Sequence, residues 1–421
     1  MRVGERRFHR AFRLQPPTRN SKVSCELRDI FSSRFAWDER PNRLSRLLAR
    51  KRSEGASLLD LTESNPTHAG LAYSPEILHG FEDPRILAYD PAPAGAMAAR
   101  TAVADYYASR NARVTPSRIL LTASTSEGYG FLFKLLTDPG DCVLSPRPSY
   151  PLFEYLAAME SIEVRQYPLR YDGAWGIDPH AVEAAIDSRT RAIVVVNPNN
   201  PTGSYVKRGE LAALVAICRK HGIALISDEV FSDYAFADDV DRVSSLAGVE
   251  DCLTLSMSGL SKIAGLPQMK LGWIVVSGPA DLQQRAWEKL EWIADTYLSV
   301  SAPVQCAAAR LLHAGEGVQR QIRERTAENL ACARRILAGS AAGLLHVEGG
   351  WYVAVQLPQI RGEEEWALDL LERFDVLTQP GFFYDFESQA FLVLSLLTPP
   401  EIFREGVARL RQMVDGAVAC H

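Results

Sequence analysis

The sequence predicts an α/β protein whose large domain contains a mostly parallel, seven-stranded sheet and whose smaller domain is α+β. From residue 81 to residue 300, short apolar segments alternate with segments of helical spacing, which is the pattern of a parallel sheet with helices on both faces. After residue 300 a long helical segment leads into further short apolar runs, which indicates a second unit. A chain of 421 residues is long enough for both.

The predicted strands are short apolar runs bounded by polar or turn-forming residues, and they are RILLTA, CVLSP, IEVRQYP, RAIVVVN, IALISD, CLTLS and GWIVVS. Helices are predicted between them at EGYGFLFKLL, YPLFEYLAAME, DPHAVEAAI and KRGELAALVAICRKHG, and before them over residues 96–109. A further helical zone over 281–339 is interrupted at 301–303, where a serine and a proline occur. WYVAVQL, DVLTQPG and FLVLSLL predict strands of the smaller domain, with helices at EEEWALDLLERF and PEIFREGVARLRQMV.

We expect four regions along the chain: a basic arm over 1–30, a segment over 31–80, the large domain over 81–300, and a linking helix with the small domain over 301–421. The second region has a helical pattern but no sheet of its own, so we expect it to pack with the small domain. The first 23 residues are rich in arginine, contain one acid, Glu5, and lack the apolar stretch of a secretory signal. They suit a targeting arm or an arm without stable structure, and we expect the second.

Composition and charge argue against several classes of partner. The chain is 47% hydrophobic and 23% charged, which is ordinary for a globular enzyme, and its net charge of −5 gives no general attraction to nucleic acid or to anionic membranes. No apolar run approaches the roughly 20 residues that span a bilayer. The seven cysteines have no CxxC spacing, which favours a reducing, cytoplasmic setting over a disulfide framework or a zinc site.

One lysine stands out in the stretch SMSGLSKIAGLPQMKLGW. Lys262 follows a short apolar strand and lies among small and hydroxylated residues beside a glycine-rich turn. Burial there would lower the pKa of the ammonium group and make the amine a nucleophile that can form an imine with an aldehyde. Taken alone, the same pattern also suits a solvated loop lysine.

Polar side chains follow three other predicted strands, at the edge of the sheet where ligands bind in open parallel sheets. Ser124, Thr125 and Ser126 follow RILLTA and open a helix, where hydroxyl and N–H groups suit a phosphate or simply cap the helix. Asn200 lies in the turn NPNNPTG. Asp228 ends IALISD, where a carboxylate needs a cationic partner such as a protonated pyridine nitrogen, or serves as a helix cap.

The combination is far more specific than its parts. NPNNPTG, then an aspartate that ends an apolar strand, then S-K-x-x-G-L-P with K-x-G-W resembles the class I/II aminotransferases, which are fold-type I enzymes dependent on pyridoxal 5′-phosphate (PLP). The resemblance covers residues 35–416. It implies a homodimer with shared active sites, an amino donor and a 2-oxo acid acceptor.

The resemblance also implies roles for individual residues. Lys262 would hold the cofactor as an imine and shuttle a proton between the substrate Cα and cofactor C4′. Asp228 would keep the pyridine nitrogen protonated, Asn200 would hydrogen-bond the ring oxygen, and Tyr150 would stack on the ring.

The phosphate would be held by a further group of residues. Ser124, Thr125 and Ser126 match the phosphate-binding turn of the family. Lys270 stands where the family usually has an arginine, so that a bidentate fork is replaced by a point charge. Tyr89, in YDPAPAG, resembles the tyrosine that reaches the phosphate of a neighbouring subunit, although its spacing to Gly95 is one residue longer than the family pattern.

Two other departures concern the ring and the substrate. Phe231 replaces a tyrosine that donates to the ring oxygen, which would raise the pKa of the imine. Val393, in FLVLSLL, replaces the arginine that pairs with the substrate α-carboxylate. Arg147 is a candidate to take over that carboxylate, or else a solvated turn arginine. Trp351, Tyr352 and the aromatic run over 382–384 line a pocket or pack in the core.

We therefore predict a PLP-dependent aminotransferase that works by a ping-pong mechanism. The alternative is another reaction on the same cofactor, namely β-elimination, decarboxylation or a cyclising synthesis, because the loss of the arginine at Val393 frees the orientation of the substrate. A non-catalytic PLP-binding regulator ranks last, since the roughly 35 residues before the resemblance begins are too few for a DNA-binding domain.

Overall fold

The computed structural model describes residues 30–35, 40–388 and 390–419. The strands in chain order, β1 to β14, are Leu59–Asp60, Ile119–Thr122, Cys142–Arg147, Glu163–Tyr171, Trp175–Ile177, Thr190–Val196, Ala224–Asp228, Thr254–Gly259, Gly272–Ser277, Gly343–Leu344, Tyr352–Gln356, Val376–Leu377, Gln379–Pro380 and Phe391–Ser395. The helices, α1 to α12, are Arg43–Ser53, Glu76–His79, Met97–Ala108, Thr125–Leu136, Leu152–Met159, Pro179–Ala184, Arg208–His221, Leu260–Ile263, Ala280–Tyr297, Ala302–Leu337, Glu363–Phe374 and Pro400–Val418.

The large sheet has eight strands in the order β2-β9-β8-β7-β6-β3-β4-β5. The pairs from β8 through β4 are parallel, whereas β9 runs antiparallel to both of its neighbours and β5 runs antiparallel to β4. Strand β2 therefore points the same way as β8. Strands β2, β8 and β9 are buried over their whole length, and β3, β6 and β7 are buried at all but one residue each, as expected for a sheet with helices on both faces.

The predicted α/β class is confirmed, and all seven strands predicted for the large sheet are present. The sheet has an eighth strand, β5, that the sequence did not indicate. It is three residues long and pairs only with the end of β4 at the outer edge of the sheet, so it is too short for a periodic pattern to mark it.

A second, four-stranded antiparallel sheet in the order β10-β11-β14-β13 forms the smaller unit, and β1 pairs in parallel with β12 beside it. Helix α1 begins after its cap Asn42 and buries Leu44, Leu47 and Leu48. These leucines pack in one core cluster with Trp366 of α11 and residues of α12 and β14. The N-terminal segment thus packs on the C-terminal part of the chain, while the domain boundaries given above stay a prediction.

The predicted basic arm lies almost wholly outside the described residues. Across the parts of the chain that are described, every helix is too short or too polar to cross a lipid bilayer.

Candidate active site

The predicted site residues follow strands that end on the same side of the large sheet. Because β2, β3, β6, β7 and β8 run in the same direction, their carboxyl ends lie along one side, which we call the carboxyl edge. The residues that follow them there are Ser124 after β2, Arg147 and Tyr150 at and after β3, Asn200 after β6, Asp228 at the end of β7 and Lys262 after β8.

Lys262 lies in α8, a single helical turn that starts directly after β8. Its Nζ is 4.8 Å from the ring centroid of Trp351 and 5.6 Å from that of Phe231. Burial lowers the pKa of the Lys262 amine to about 8, and the negative charges of Asp228 and Glu63 oppose this shift. The amine is therefore more nucleophilic near neutral pH than that of an ordinary lysine, whose pKa is about 10.4.

This lowered pKa predicts how covalent capture of an aldehyde depends on pH. Below pH 8 most of Lys262 carries a proton and cannot attack, and at pH 7 about a tenth is free amine, given the pKa of about 8. The rate at which apoprotein binds PLP covalently should rise with pH and level off above about pH 8. Stopped-flow absorbance across this range measures it. A rate that still rises at about pH 10 would contradict the lowered pKa.

Asp228 is a desolvated carboxylate that accepts two hydrogen bonds, from the hydroxyl of Tyr129 at 3.1 Å and from the backbone N–H of Val230 at 3.2 Å. No cationic side chain pairs with it in the described part of the chain. Burial raises its pKa to about 6, although the two hydrogen bonds and the charge of Lys262 act in the opposite direction. Such a carboxylate gains most from a cation that enters the site, such as a protonated ring nitrogen.

Asn200 is 7% exposed, and its amide oxygen has no hydrogen-bond partner among the described residues. A buried amide group without a partner costs about 1–3 kcal/mol, so an external partner is expected. Asn197 and Asn199, in the same turn, instead satisfy their amides within the protein. Asn197 donates to Val243 O and accepts from Val206 N–H, while Asn199 donates to Pro148 O and Thr202 Oγ1.

The N-terminus of α4 supplies the anion site. Ser124 is the N-cap, and its hydroxyl accepts the Glu127 N–H, whereas the hydroxyls of Thr125 and Ser126 make no hydrogen bond within the described residues. Open hydroxyl and N–H groups at the start of a 12-residue helix suit a phosphate.

Two paired glycines let this helix terminus approach the strand that leads to Lys262. Gly259 and Gly272 are opposite each other in β8 and β9. A Cβ on Gly272 would lie 3.1 Å from the backbone carbon of Ser124 and 3.2 Å from Ser258 O, and one on Gly259 would lie 2.9 Å from Leu271 O. The turn at Ser124 and the end of β8 therefore approach closely at two glycines, where a side chain on Gly259 would force the backbone to shift.

Four predicted site residues lie further out. Lys270 is exposed and adopts a left-handed backbone with a φ of 55°. Tyr150 is 40% exposed just beyond β3, and Arg147 forms an ion pair with Glu387. Tyr89 is 82% exposed and borders a surface groove with Leu298.

The structure adds residues that the sequence did not indicate. Tyr129, which donates to Asp228, lies one helical turn after Thr125, and this spacing could have marked it. Glu63, in the N-terminal segment, lies close enough for its charge to act on the Lys262 amine, and nothing in the local sequence distinguishes it from a surface acid. Trp351, predicted above to line a pocket or to pack in the core, is fully buried, and its ring faces Lys262 Nζ.

These observations fit PLP. Lys262 can attack an aldehyde, Asp228 lacks a cation, and α4 offers a phosphate site. The Asn200 amide makes no hydrogen bond among the described residues, so its N–H₂ group can donate to a ring oxygen. A mostly parallel sheet with a lysine, a carboxylate and an amide at its carboxyl edge defines the class of fold-type I PLP-dependent enzymes.

The comparisons with known proteins give the family. The family described as aminotransferase class I and II matches residues 58–410, so the chain belongs to it, and members of this family depend on PLP. The S-alkyl-thiohydroximate lyase SUR1 of Arabidopsis thaliana is 38% identical over 189 residues, which cover 44% of this chain and 40% of that protein. The glutamate-pyruvate aminotransferase AlaA of Escherichia coli is 31% identical over 269 residues, which cover 61% of this chain and 64% of that protein.

The fold agrees with solved structures. An aminotransferase from Escherichia coli superimposes with a TM-score of 0.78 at 24% identity, and the match covers 94% of this chain and 99% of that one. The two curated relatives named above are matched over only 40% and 64% of their own lengths.

Proposed function

We propose that the protein is a PLP-dependent aminotransferase that exchanges an amino group between an amino acid or related amine and a 2-oxo acid in two half-reactions. The observation that carries the proposal is the presence at one carboxyl edge of Lys262, whose amine pKa is lowered to about 8, and of the desolvated carboxylate of Asp228. A proton-transferring amine and a carboxylate that stabilises a cationic ring nitrogen are what amino-group exchange requires.

When bound, PLP supplies an aldehyde that condenses with amines and a ring that withdraws electrons from the substrate Cα. Asp228, fixed by Tyr129, would hold the proton on the ring nitrogen. The Asn200 amide N–H₂ would donate to the ring oxygen, and its role would grow because Phe231 has no hydroxyl to donate. The Lys262 amine would take the proton from the substrate Cα and return it on the cofactor side.

The remaining predicted residues position the cofactor. Ser124, Thr125 and Ser126 hold the phosphate at the α4 terminus, with Lys270 as a nearby positive charge. Tyr150 covers the ring from the end of β3. These assignments are supported by the positions of the residues: the serines, Thr125 and Tyr150 follow strands of the large sheet, and Lys270 lies just before β9, which starts at the carboxyl edge because it runs antiparallel to β8.

The test is a half-reaction without acceptor. Purified holoenzyme is mixed with a panel of amino donors, and absorbance is followed together with the formation of 2-oxo acid. We expect at least one donor to convert the bound cofactor to pyridoxamine phosphate with one equivalent of 2-oxo product. If every active donor yields only ammonia or CO₂, the aminotransferase proposal is rejected.

A second candidate is a β-eliminating lyase. Two observations favour it: Val393 removes the usual carboxylate-binding arginine, and SUR1, a protein with lyase in its name, is 38% identical over 189 residues. Ammonia release from a donor with a β-leaving group, without any 2-oxo acid exchange, would favour it over transamination.

We also propose a cytoplasmic homodimer with shared active sites. Leu87, Tyr89 and Leu298 are exposed apolar side chains, and Tyr89 and Leu298 border one groove. Exposed apolar groups grouped in this way mark an interface. The five described cysteines are free thiols, which suits a reducing compartment. Light scattering coupled to gel filtration should give the mass of two chains, and a single-chain mass would contradict the dimer.

A further inference from the structure

Strand β14 has no charged side chain that could bind a substrate carboxylate. Its sequence is FLVLS, and all five residues are buried. Val393 is fully buried in a cluster with Phe231, Trp351 and Tyr352, and the ring of Trp351 lies 4.8 Å from Lys262 Nζ. The surface that this strand contributes beside the reactive amine is therefore apolar.

The N-terminal segment that runs past the end of this strand brings a carboxylate to the same place. The Ser395 N–H donates to Leu61 O at 2.8 Å, and the Ser395 hydroxyl donates to the backbone oxygen of Glu63. Ser395 is paired in register with Tyr352 of β11, and the Tyr352 hydroxyl is hydrogen-bonded to Ser64. Glu63 is thereby fixed between the ends of β11 and β14.

The Glu63 carboxylate is only partly buried and accepts the Asn65 N–H at 2.7 Å. It has no ion-pair partner among the described residues. Desolvation raises its pKa, and its charge in turn acts on the Lys262 amine, which places the two groups in one site. A partly desolvated carboxylate without a counter-ion attracts a cation that can reach it.

Two arginines on neighbouring segments are already engaged with other groups. Arg147 pairs with Glu387, and Arg325 donates to the backbone oxygens of Ala69 and Leu397. Beside Lys262 the site therefore has the carboxylate of Glu63, and neither of these arginines is free to bind a substrate carboxylate.

We propose that Glu63 is a specificity-determining residue that binds a second cationic group of the amino donor, so that the donor is a basic amine such as a diamine or a basic amino acid. This inference rests on the proposed function. The buried apolar cluster that contains Val393, Phe231 and Trp351 supplies no charge that would compete with Glu63 for the donor.

The first experiment compares donors that differ only in the second charge. Half-reaction rates of holoenzyme are measured with L-lysine and L-norleucine, and with 1,5-diaminopentane and 1-aminopentane. The charged member of each pair should have a kcat/KM about 10- to 100-fold higher, which corresponds to one charge-assisted hydrogen bond. The relative rates of lysine and 1,5-diaminopentane separate a basic amino acid from a diamine as the donor.

The second measurement does not depend on turnover. Calorimetry of holoenzyme with n-butylguanidine and with its neutral isostere n-butylurea should show guanidinium binding about 10- to 100-fold tighter. The variant Glu63→Gln keeps an oxygen to accept the Asn65 N–H but removes the charge, and it should abolish both preferences. Glu324→Gln, at an exposed position on α10, is the matched control and should keep them.

The outcomes separate the two proposals. If no donor transfers its amino group but the guanidinium preference exists and depends on Glu63, the aminotransferase proposal fails and the Glu63 inference stands. If donors react but L-norleucine and L-lysine have equal kcat/KM, and Glu63→Gln changes neither the donor preference nor the guanidinium preference, the Glu63 inference is overturned and transamination stands. A Glu63→Gln protein that keeps the cofactor spectrum and thermal midpoint of the wild type excludes misfolding as the cause.

Discussion

Replacing Lys262 with alanine should lower the rate of amino-group exchange by about 10⁴-fold or more, since this one side chain both attacks the aldehyde and transfers the Cα proton. The side chain projects from a single helical turn, so truncation leaves the strands around it intact. Stopped-flow absorbance of the half-reaction measures the loss, and the spectrum of the purified variant should lack the band of the lysine-bound cofactor.

A matched variant is Lys220→Ala, which removes a lysine exposed at the surface of α7 and should leave the rate unchanged. A Lys262→Ala protein that retains the band and reacts within about tenfold of the wild type would contradict the assignment, because a loss of that size is below what general acid–base catalysis contributes.

Replacing Asp228 with asparagine should reduce the rate by about 10²- to 10³-fold, which is the loss found when one preorganised electrostatic contact is removed. Asparagine has the same shape as aspartate. Its amide oxygen can accept the Val230 N–H and its N–H₂ group can donate to the Tyr129 hydroxyl, so the main change is the loss of the negative charge. Without that charge the ring nitrogen is no longer held protonated, and the electron-withdrawing power of the cofactor falls.

The same variant should stabilise the apoprotein. Burial raises the pKa of Asp228 from 3.8 to about 6, so the folded state disfavours the ionised carboxylate. That penalty is absent below about pH 4, grows as the pH rises from about 4 to about 6, and is complete above about pH 6, where it amounts to about 3 kcal/mol. Urea unfolding at several pH values should show Asp228→Asn apoprotein gaining stability over the wild type across that window.

Asp251→Asn, at an exposed turn before β8, serves as the control for both readouts. Equal rates for Asp228→Asn and wild type would mean that the carboxylate does not face the cofactor ring. A destabilised Asp228→Asn apoprotein would mean that the ionised form is already compensated within the protein.

The large sheet was predictable because its buried strands are continuous apolar runs, and such runs can be recognised in the sequence without knowledge of the fold. The carboxyl ends of parallel strands lie on one side, so Asn200, Asp228 and Lys262 could be expected together from their positions after three such runs. The apolar character of the strand at Val393 was also visible in the sequence, and the structure places that valine in the core beside Lys262.

Other features depend on contacts that no local pattern encodes. Glu63 reaches the site because residues 61–63 bond Ser395, more than 330 positions away in the chain. The hydrogen bond from Tyr129 to Asp228 forms only if α4 turns that side of the helix toward the end of β7. The ion pair of Arg147 with Glu387 forms only if the segment before β14 lies next to the end of β3. Long-range packing of this kind fixes partners that composition and periodicity leave open.

The central claim is that Lys262 holds the cofactor covalently in the resting protein. Borohydride reduction of PLP-loaded wild-type protein, followed by proteolysis and peptide mass mapping, tests it directly. The account predicts a single pyridoxyl group on the peptide that contains Lys262. A tag on Lys270 or on another lysine, or no tag at all, would contradict it.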